Sequence, residues 1–210
     1  MVNDAAEPKL AIQRFNVLRV AMSAINLRIA TTAILEALTR RQKGYVCLRD
    51  VNGVVRAQSD PEFRRILNSS FLNTPNGMPL VWLGRRAVGN FVDRVYGPDL
   101  MLEVFQATQG TEFRHFFYGG APGVAEALKT RLESRLPKAT ICGVYCPPFR
   151  PLNAAEESEF IALIREKRPD IIWVGAQHAK AGVFLAEYLP KLDTPSCSES
   201  APRLIFIRAG

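Results

Sequence analysis

The sequence predicts an α/β protein with a mainly parallel, Rossmann-like sheet flanked by helices. Short apolar runs rich in β-branched and aromatic residues alternate with longer segments of helical period along the chain. The strand-like run 115–118 leads through a glycine-rich turn into an amphipathic segment, and residues 170–174 have the pattern of a buried strand. Because strands and helices alternate, we expect right-handed crossovers that bring the strands together in parallel.

Length and composition are those of one large domain. The chain has 210 residues, 48% of them hydrophobic, which suffices for a full core. No apolar run approaches the roughly 20 residues that span a bilayer and no signal peptide is visible, so we expect a cytoplasmic protein. The net charge of +7 favours a phosphorylated ligand, a nucleic acid or an anionic membrane surface without distinguishing them. The four cysteines lack paired metal spacing, so we expect no metal and no cofactor.

Cap and turn signals delimit the elements of the first half. Asn26 is placed to cap a helix that Gly44 ends, and the pair Asp60-Pro61 marks another helix start. Before them, residues 1–14 predict a loose N-terminal arm. The predicted elements are a strand at 15–20, a helix after Asn26, a strand at 45–48 and helices at 51–58 and 61–67.

Residues 74–99 hold most of the polar candidates. Pro75 and the pair Asn76-Gly77 predict a turn with positive φ, and Pro79 suits the first turn of a helix. In a parallel sheet, loops that follow strands are where ligands bind. The stretch closes with Arg94, a Gly97-Pro98 break and Asp99, which we expect to cap a helix running from 100 to 108.

The second half contains a strand, a glycine-rich turn and a helix in succession. The strand 115–118 runs into Gly119-Gly120-Ala121-Pro122-Gly123 and then into a helix at 124–136. Free N–H groups and the helix dipole would point at one place there, which predicts an anion site. A tight turn that merely needs glycine explains the pattern equally well, since it is neither a dinucleotide fingerprint nor a P-loop. A strand at 140–145, a helix from Asn153 to Lys167 and the strand 170–174 follow.

Three blocks carry a resemblance to a known family. They are P-N-G-M-P at 75–79 with R-V-Y-G-P-D-L at 94–100, F-F-Y-G-G at 116–120 with P-G-V-A-E at 122–126, and R-P-D-I-I-W-V-G at 168–175. In this order they resemble the WecG/TagA/CpsF family of bacterial glycosyltransferases. The resemblance covers roughly residues 15 to 190, so we expect one glycosyltransferase-like domain at 15–195.

The resemblance implies transfer of a sugar, of the N-acetylmannosamine type or related, from a nucleotide diphosphate donor such as a UDP-sugar to a lipid-linked diphosphate acceptor. The setting would be synthesis of surface polysaccharide or exopolysaccharide. Such an enzyme must hold a diphosphate leaving group and deprotonate an acceptor hydroxyl, so it needs N–H donors or cations and one carboxylate. No nucleic-acid partner is expected, and a homo-oligomer stays open. The positions assigned to substrate binding are Asp50, Asn52, Thr74, Gly77, Arg94, Gly119, Gly120, Gly123 and Gly175.

Asn76 and Asp99 are the assigned catalytic positions, and the first departs from the family. The family pattern looks like P-D-G at the central loop, whereas this chain has Asn76, whose amide cannot take a proton at neutral pH. Asp99 matches the acid of the family's R-V-Y-G-P-D motif and is retained, either in a direct role or as a helix cap. Asp50 is the other acidic candidate.

The C-terminal part departs further. After Gly175 the family pattern is roughly L-S-T-P-K-Q-E-R-F and later V-G-A-A-F-D-F. If the codons of residues 177–182 are read one base later, with free choice of third bases, they can encode S-T-P-K-Q. The same shift over residues 195–210 can give the second motif. We therefore hypothesise frameshifts in the coding sequence, which would make the chain a truncated member with a non-family tail at 196–210 and leave His178 and Lys180 without function. Gene codons that cannot encode those peptides in the shifted frame would refute the hypothesis.

Other functions stay open at this point. An inactive truncated relic that at most binds a sugar nucleotide is the main alternative, and Asn76 favours it. A nicotinamide-dependent oxidoreductase would rest only on the glycine-rich turn, because no acidic residue follows at the expected distance. A nucleic-acid binder would rest on charge alone.

Overall fold

Parallel strands form the centre of the fold in the computed structural model, which describes residues 12–175, Tyr188 and the backbone of residues 205–209. The strands are β1 (Arg14–Val17), β2 (Val20–Ser23), β3 (Gly44–Arg49), β4 (Leu72–Pro75), β5 (Arg114–Gly119), β6 (Thr140–Tyr145), β7 (Ile171–Gly175) and β8 (Ile205–Ala209). β3 to β8 form one six-stranded sheet in the order β4-β3-β8-β7-β5-β6, and every pairing is parallel. The predicted mainly parallel α/β fold is confirmed.

Several helices begin at residues whose side chains satisfy free N–H groups. Asn26 accepts a hydrogen bond from the N–H of Ile29, Asp60 accepts one from Phe63, and Asn153 forms a capping box with Glu156. These three predicted caps are confirmed, whereas the fourth, Asp99, is not a cap. None of the helices among the described residues is long and apolar enough to cross a membrane. The helices are α1 (Leu27–Thr39), α2 (Val51–Ser59), α3 (Pro61–Ser69), α4 (Met78–Val88), α5 (Gly97–Ala107), α6 (Val124–Arg135) and α7 (Ala154–Lys167).

Helices cover both faces of the sheet. On one face, α2, α3, α4 and α7 contribute Val54, Phe63, Leu80 and Phe160 to a buried cluster that also contains residues of β1 and β2. On the other face, α1, α5 and α6 contribute residues such as Ile34, Phe105 and Leu132. Both faces of the sheet are therefore buried, as parallel sheets require.

The predicted strand at 15–20 is wrong, because the chain turns back within it. Residues 14–23 form an antiparallel hairpin, β1 with β2, in which Leu18 and Arg19 have φ of 49° and 66°. The side chain of Asn68 holds the turn, accepting from the N–H of Ala21 and donating to the Arg19 carbonyl. The sequence did not predict this turn, because Leu18 and Arg19 stand where hairpin turns usually have glycine or asparagine.

Gly44 does not end α1, which stops at Thr39, but instead begins β3. A Cβ atom at Gly44 would lie 2.8 Å from the Cβ of Phe71, so the glycine is needed for close contact with the residue that precedes β4.

The two ends of the predicted domain also take part in the fold. Arg14, which the sequence placed in the loose arm, begins β1, and its guanidinium donates to the carbonyls of Asn68, Ser70 and Phe71. β8 comes from the predicted tail and pairs with β3 on one side and β7 on the other. Residues 1–11 of the arm lie outside the described residues, as do His178, Lys180 and Cys197.

A buried polar chain ties β5 to β7 and α5. Trp173 donates its indole N–H to Nδ1 of His115 at 3.0 Å, so the neutral imidazole carries its proton on Nε2. Nε2 lies 2.9 Å from Oγ1 of Thr108, whose hydroxyl in turn donates to the Val104 carbonyl at 2.7 Å. The ring of Phe105 stacks on the imidazole, with centroids 3.8 Å apart. Burial lowers the pKa of the His115 imidazole from 6.5 to about 3, which keeps it neutral.

This burial predicts that acid destabilises the fold through His115. In the unfolded chain the imidazole takes a proton below pH 6.5, whereas in the fold it stays neutral down to about pH 3. Stability is therefore complete above pH 6.5 and falls at lower pH, by at most about 1.4 kcal/mol per pH unit from this group. A His115→Phe variant should be less stable at neutral pH, and its deficit should shrink between pH 6.5 and 4.5.

Denaturant unfolding measures this gap at each pH. Thr108→Val is the matched control, because it disturbs the same chain of hydrogen bonds but leaves the imidazole to titrate. Its deficit should stay constant with pH. A constant deficit for His115→Phe as well would contradict the assignment.

Candidate active site

The predicted site residues lie at the carboxyl edge of the sheet. β3 and β4 end in register at Arg49 and Pro75, and β5 and β7 end in register at Gly119 and Gly175. Because all the strands are parallel, these ends lie at the same edge, with β8 between the two pairs. In open α/β sheets this edge is where ligands bind. The two loops that the sequence singled out are therefore on one side of the molecule.

The Asn76 loop, residues 76–77, joins β4 to α4 and is held by backbone contacts on both sides. The N–H of Asn76 donates to the Arg49 carbonyl at 2.8 Å, and Nε of Arg94 donates to the Asn76 carbonyl at 2.9 Å. The N–H of Val95 donates to the Pro75 carbonyl at 2.8 Å. Arg94 thus fastens the segment before α5 to this loop.

The predicted positive φ at Asn76-Gly77 is wrong. Gly77 has φ −105° and ψ 141°, and Asn76 is not among the residues with positive φ. The reason is that Gly77 is the N-cap residue of α4, a position that takes extended backbone. Pro79 lies in the first turn of α4, as the sequence predicts.

Asp50 lies beside the Asn76 loop. It is the N-cap of α2, and its Oδ1 accepts from the N–H of Gly53 at 2.9 Å. A Cβ atom at Gly77 would lie 3.8 Å from the Cα of Asp50, so the two backbones are near neighbours. The Asp50 side chain is exposed and its other oxygen is available to a ligand. Asn52, another position assigned to substrate binding, lies exposed in the first turn of α2.

Asp99 is not a helix cap, contrary to the sequence prediction. α5 begins at Gly97 rather than Leu100, and its N-cap is Tyr96, without a side-chain hydrogen bond. Pro98 fits the first turn instead of breaking the chain, which moves Asp99 into the helix. There it is exposed, and no hydrogen bond or ion pair holds it within the described residues. Its carboxylate is free for another role.

Polar side chains at the ends of β3 and β4 are buried without partners. Arg49 is only 3% exposed, yet among the described residues its Nε and Nη2 atoms have no hydrogen-bond partner, and the same holds for Oγ1 of Thr74 and Oδ1 of Asn76. The Arg49 guanidinium lies 5.2 Å from the ring centroid of Phe63, on the α3 side of the sheet. Thr74 is in register with Leu48, which faces α5. Unsatisfied buried polar atoms are uncommon in proteins and mark this edge as a functional candidate.

The site list from the sequence did not include Arg49. Its only signal is that a charged residue ends an otherwise apolar β-run, Y-V-C-L-R at 45–49. Its burial depends on the packing of α2 and α3, because Gly53 and Phe63 come from those helices.

The glycine loop, residues 119–123, joins β5 to α6. Gly119, Gly120 and Gly123 have φ of 97°, 89° and 82°, a region that favours glycine. A Cβ atom at Gly119 would lie 2.0 Å from the carbonyl oxygen of Gly175, so no side chain fits, and the N–H of Gly120 donates to that carbonyl at 3.1 Å. Glycine is thus required here by the turn itself, which was one of the two interpretations of the sequence.

The glycine loop also leaves the start of α6 open. Gly123 is the N-cap and no side-chain hydrogen bond caps the helix. The first N–H groups of such a helix, together with its dipole, favour an anion, although the exposed carboxylate of Glu126 in the first turn offsets part of this preference.

A small apolar cavity lies beside the glycine loop. Its volume is about 80 Å³, and it lies between α5, α6 and the sheet. Its walls are Met101, Phe117, Tyr118, Gly119, Gly120, Val124, Ala125, Leu128, Trp173 and Gly175. No group of three or more His, Cys, Asp or Glu side chains that could hold a metal ion occurs among the residues described.

An open parallel sheet flanked by helices, with a polar loop and a glycine loop at its carboxyl edge, defines a Rossmann-like α/β protein. Residues 15–199 match the family model described as Glycosyl transferase WecG/TagA/CpsF family. Since this match covers most of the chain, the protein belongs to that family, and the resemblance seen in the sequence is confirmed. The family is one of glycosyltransferases in polysaccharide synthesis. No curated protein matches the chain.

Two guanidinium nitrogens of Arg49, Nε and Nη2, are buried without a hydrogen-bond partner in the described part of the chain, and this predicts an effect on stability. Replacing a buried charge that lacks partners by an apolar side chain of similar length removes a desolvation penalty. We expect Arg49→Met to raise the free energy of unfolding by about 1–3 kcal/mol, measured in urea.

Arg56→Met is the matched control. Arg56 also lies over the Phe63 ring, at 4.4 Å, but it is paired with Asp60 at 3.3 Å. It should therefore gain no stability on replacement. If Arg49→Met gains no more stability than the control, the Arg49 guanidinium is satisfied in the fold and carries no desolvation penalty.

Proposed function

We propose that this protein transfers a sugar of the N-acetylmannosamine type, or a related one, from a nucleotide diphosphate donor to a lipid-linked diphosphate acceptor in surface polysaccharide synthesis. One observation supports the proposal most. Two loops of different chemistry, the glycine loop and the Asn76 loop, lie at the same carboxyl edge of one parallel sheet. A sugar that leaves a diphosphate and joins a hydroxyl needs two such neighbouring environments.

The glycine loop is suited to the donor. Its glycines let the backbone approach a diphosphate closely, and the uncapped start of α6 offers N–H donors where the negative charge grows as the bond to the sugar breaks. The small apolar cavity next to it offers apolar surface against which part of the nucleotide can pack. In this proposal Gly119, Gly120, Gly123 and Gly175 hold the donor's nucleotide part.

The Asn76 loop is suited to the acceptor hydroxyl and the sugar. The hydroxyl oxygen attacks the anomeric carbon, the bond from that carbon to the diphosphate oxygen breaks, and the hydroxyl proton passes to a carboxylate. Asn76 can orient the hydroxyl by a hydrogen bond but cannot take the proton. In the proposal Asp99, which is exposed and has no partner among the described residues, takes it, while Arg94, Thr74 and Gly77 help to bind the substrates.

Asp50 is the alternative base. It lies beside Gly77, although its Oδ1 is already occupied by the N–H of Gly53. The second candidate function is an inactive relic that at most binds a sugar nucleotide. Asn76, in the place where the family pattern has an acid, favours it.

Calorimetry with UDP and a sugar-transfer assay test the proposal together. Asp99→Asn should lower the transfer rate by roughly 10²- to 10⁴-fold while UDP binding stays unchanged, because only proton transfer is lost. Asn76→Asp should raise the rate by supplying a carboxylate at the loop. Glu103→Gln, which removes an exposed acid from the same helix, is the control and should change neither quantity.

The results separate the alternatives. Loss of transfer in Asp50→Asn but not in Asp99→Asn would move the base to Asp50. UDP binding without transfer, in the wild type and in Asn76→Asp alike, would support the relic. Absence of UDP binding would refute transfer from a UDP-sugar and leave the relic that binds no sugar nucleotide.

A further inference from the structure

α4 is apolar on its outward face as well as on its buried face. Leu80, Val81 and Gly84 face the core. The outward face has Met78, Trp82 and Arg86 at a spacing of four residues, with Pro79 and Leu83 alongside. A helix that has large apolar side chains on its outward face as well often packs against a partner or a membrane.

The outward side chains are strongly exposed. Trp82 is 61% exposed, Leu83 47% and Met78 38%. Phe91, 44% exposed, extends this area, because its ring lies about 3.5 Å from the Cβ position of Gly89, the C-cap of α4. We call Met78, Trp82, Leu83, Arg86 and Phe91 the α4 surface. Several large exposed apolar side chains on and next to one helix can form a binding surface for a partner or a membrane.

The charges around the α4 surface are positive. α4 has no acidic residue, and its last turn has Arg85 and Arg86. Arg85 is engaged, since it forms an ion pair with Asp93 at 3.1 Å and donates to the Val92 carbonyl. Arg86 is exposed and meets no acceptor in the described part of the chain. The whole chain adds a net charge of +7, so an anionic partner is favoured.

We propose that the α4 surface binds a membrane face that contains anionic lipids. Trp82 and Leu83 would enter the headgroup region, where tryptophan is favoured, and Arg86 would lie among the lipid phosphates. The surface fits a membrane better than a protein groove because it combines an exposed tryptophan, aliphatic side chains and an unneutralised cation. The attraction is modest, about 1 kcal/mol per arginine near the surface, so binding should be reversible and sensitive to salt.

The position of α4 gives this docking a purpose, which rests on the proposed function. α4 begins directly after the Asn76 loop, so membrane contact along α4 would bring that loop to the lipid headgroups. A diphosphate acceptor anchored in the bilayer would then meet the Asn76 loop without leaving the membrane surface.

Sedimentation with phospholipid vesicles tests the proposal without sugar or acceptor. The full chain should bind vesicles of phosphatidylcholine with phosphatidylglycerol and bind pure phosphatidylcholine much less. The double variant Trp82→Gln/Leu83→Gln should weaken binding at least tenfold, and Arg86→Gln about fivefold, the factor for about 1 kcal/mol. Trp82 fluorescence should also shift to the blue on binding, since the other tryptophan, Trp173, is 1% exposed and already buried.

Two matched controls distinguish this surface from general stickiness. Phe149→Gln removes an equally exposed aromatic ring, 61%, from the loop before α7, and Arg131→Gln removes an exposed arginine from α6. Both should bind vesicles like the wild type. Equal loss in the controls, or no preference for anionic vesicles, would overturn the proposal.

Sedimentation velocity without lipid covers the remaining outcome. If the wild type self-associates and Trp82→Gln/Leu83→Gln abolishes the association, the α4 surface is a contact between copies and the proposal is wrong. Thermal unfolding shows that each variant is folded. UDP calorimetry on the same samples keeps the two hypotheses apart, because the wild type can bind vesicles whether or not it binds UDP.

Discussion

The contact between Gly119 and the carbonyl of Gly175 fixes the arrangement on which the candidate site depends. A Cβ atom at Gly119 would lie 2.0 Å from that oxygen, and the oxygen also accepts the N–H of Gly120. The end of β5 is thereby fixed against the end of β7, and the chain must turn through left-handed backbone into α6. The cavity and the uncapped helix start follow from this turn. Any side chain at Gly119 would force the two strand ends apart.

The Asn76 loop, the other half of the candidate site, depends on hydrogen bonds made by its backbone atoms. The carbonyl of Asn76 accepts a hydrogen bond from Nε of Arg94, and its N–H donates to the Arg49 carbonyl. Both bonds use backbone atoms of Asn76, so its position does not depend on its side chain. That explains how the loop keeps its form although an amide stands where the family pattern has an acid. The form of the loop therefore does not depend on an acid at position 76, and in the proposed reaction the proton acceptor comes from a neighbouring carboxylate.

Features that depend on neighbouring residues in the sequence were predicted well, whereas features that depend on tertiary packing were not. Asn26, Asp60 and Asn153 cap helices as expected, because a cap satisfies N–H groups two or three residues away. Asp99 failed as a cap because Gly97-Pro98 can begin a helix as readily as break one. The positions of the two loops followed from the rule that ligand-binding loops lie at the carboxyl edge of a parallel sheet. The burial of Arg49 did not, because Gly53 and Phe63 contact it from the helices α2 and α3.

In the proposed function, one sugar nucleotide spans the glycine loop and the Asn76 loop along the edge of the sheet. Hydrogen–deuterium exchange of backbone amides, with UDP and with UDP-N-acetylmannosamine, tests it most directly. The account predicts that UDP slows exchange in residues 119–126 and that the sugar nucleotide adds protection in residues 74–78. Protection that avoids 119–126, or no added protection at 74–78 with the sugar present, would contradict it.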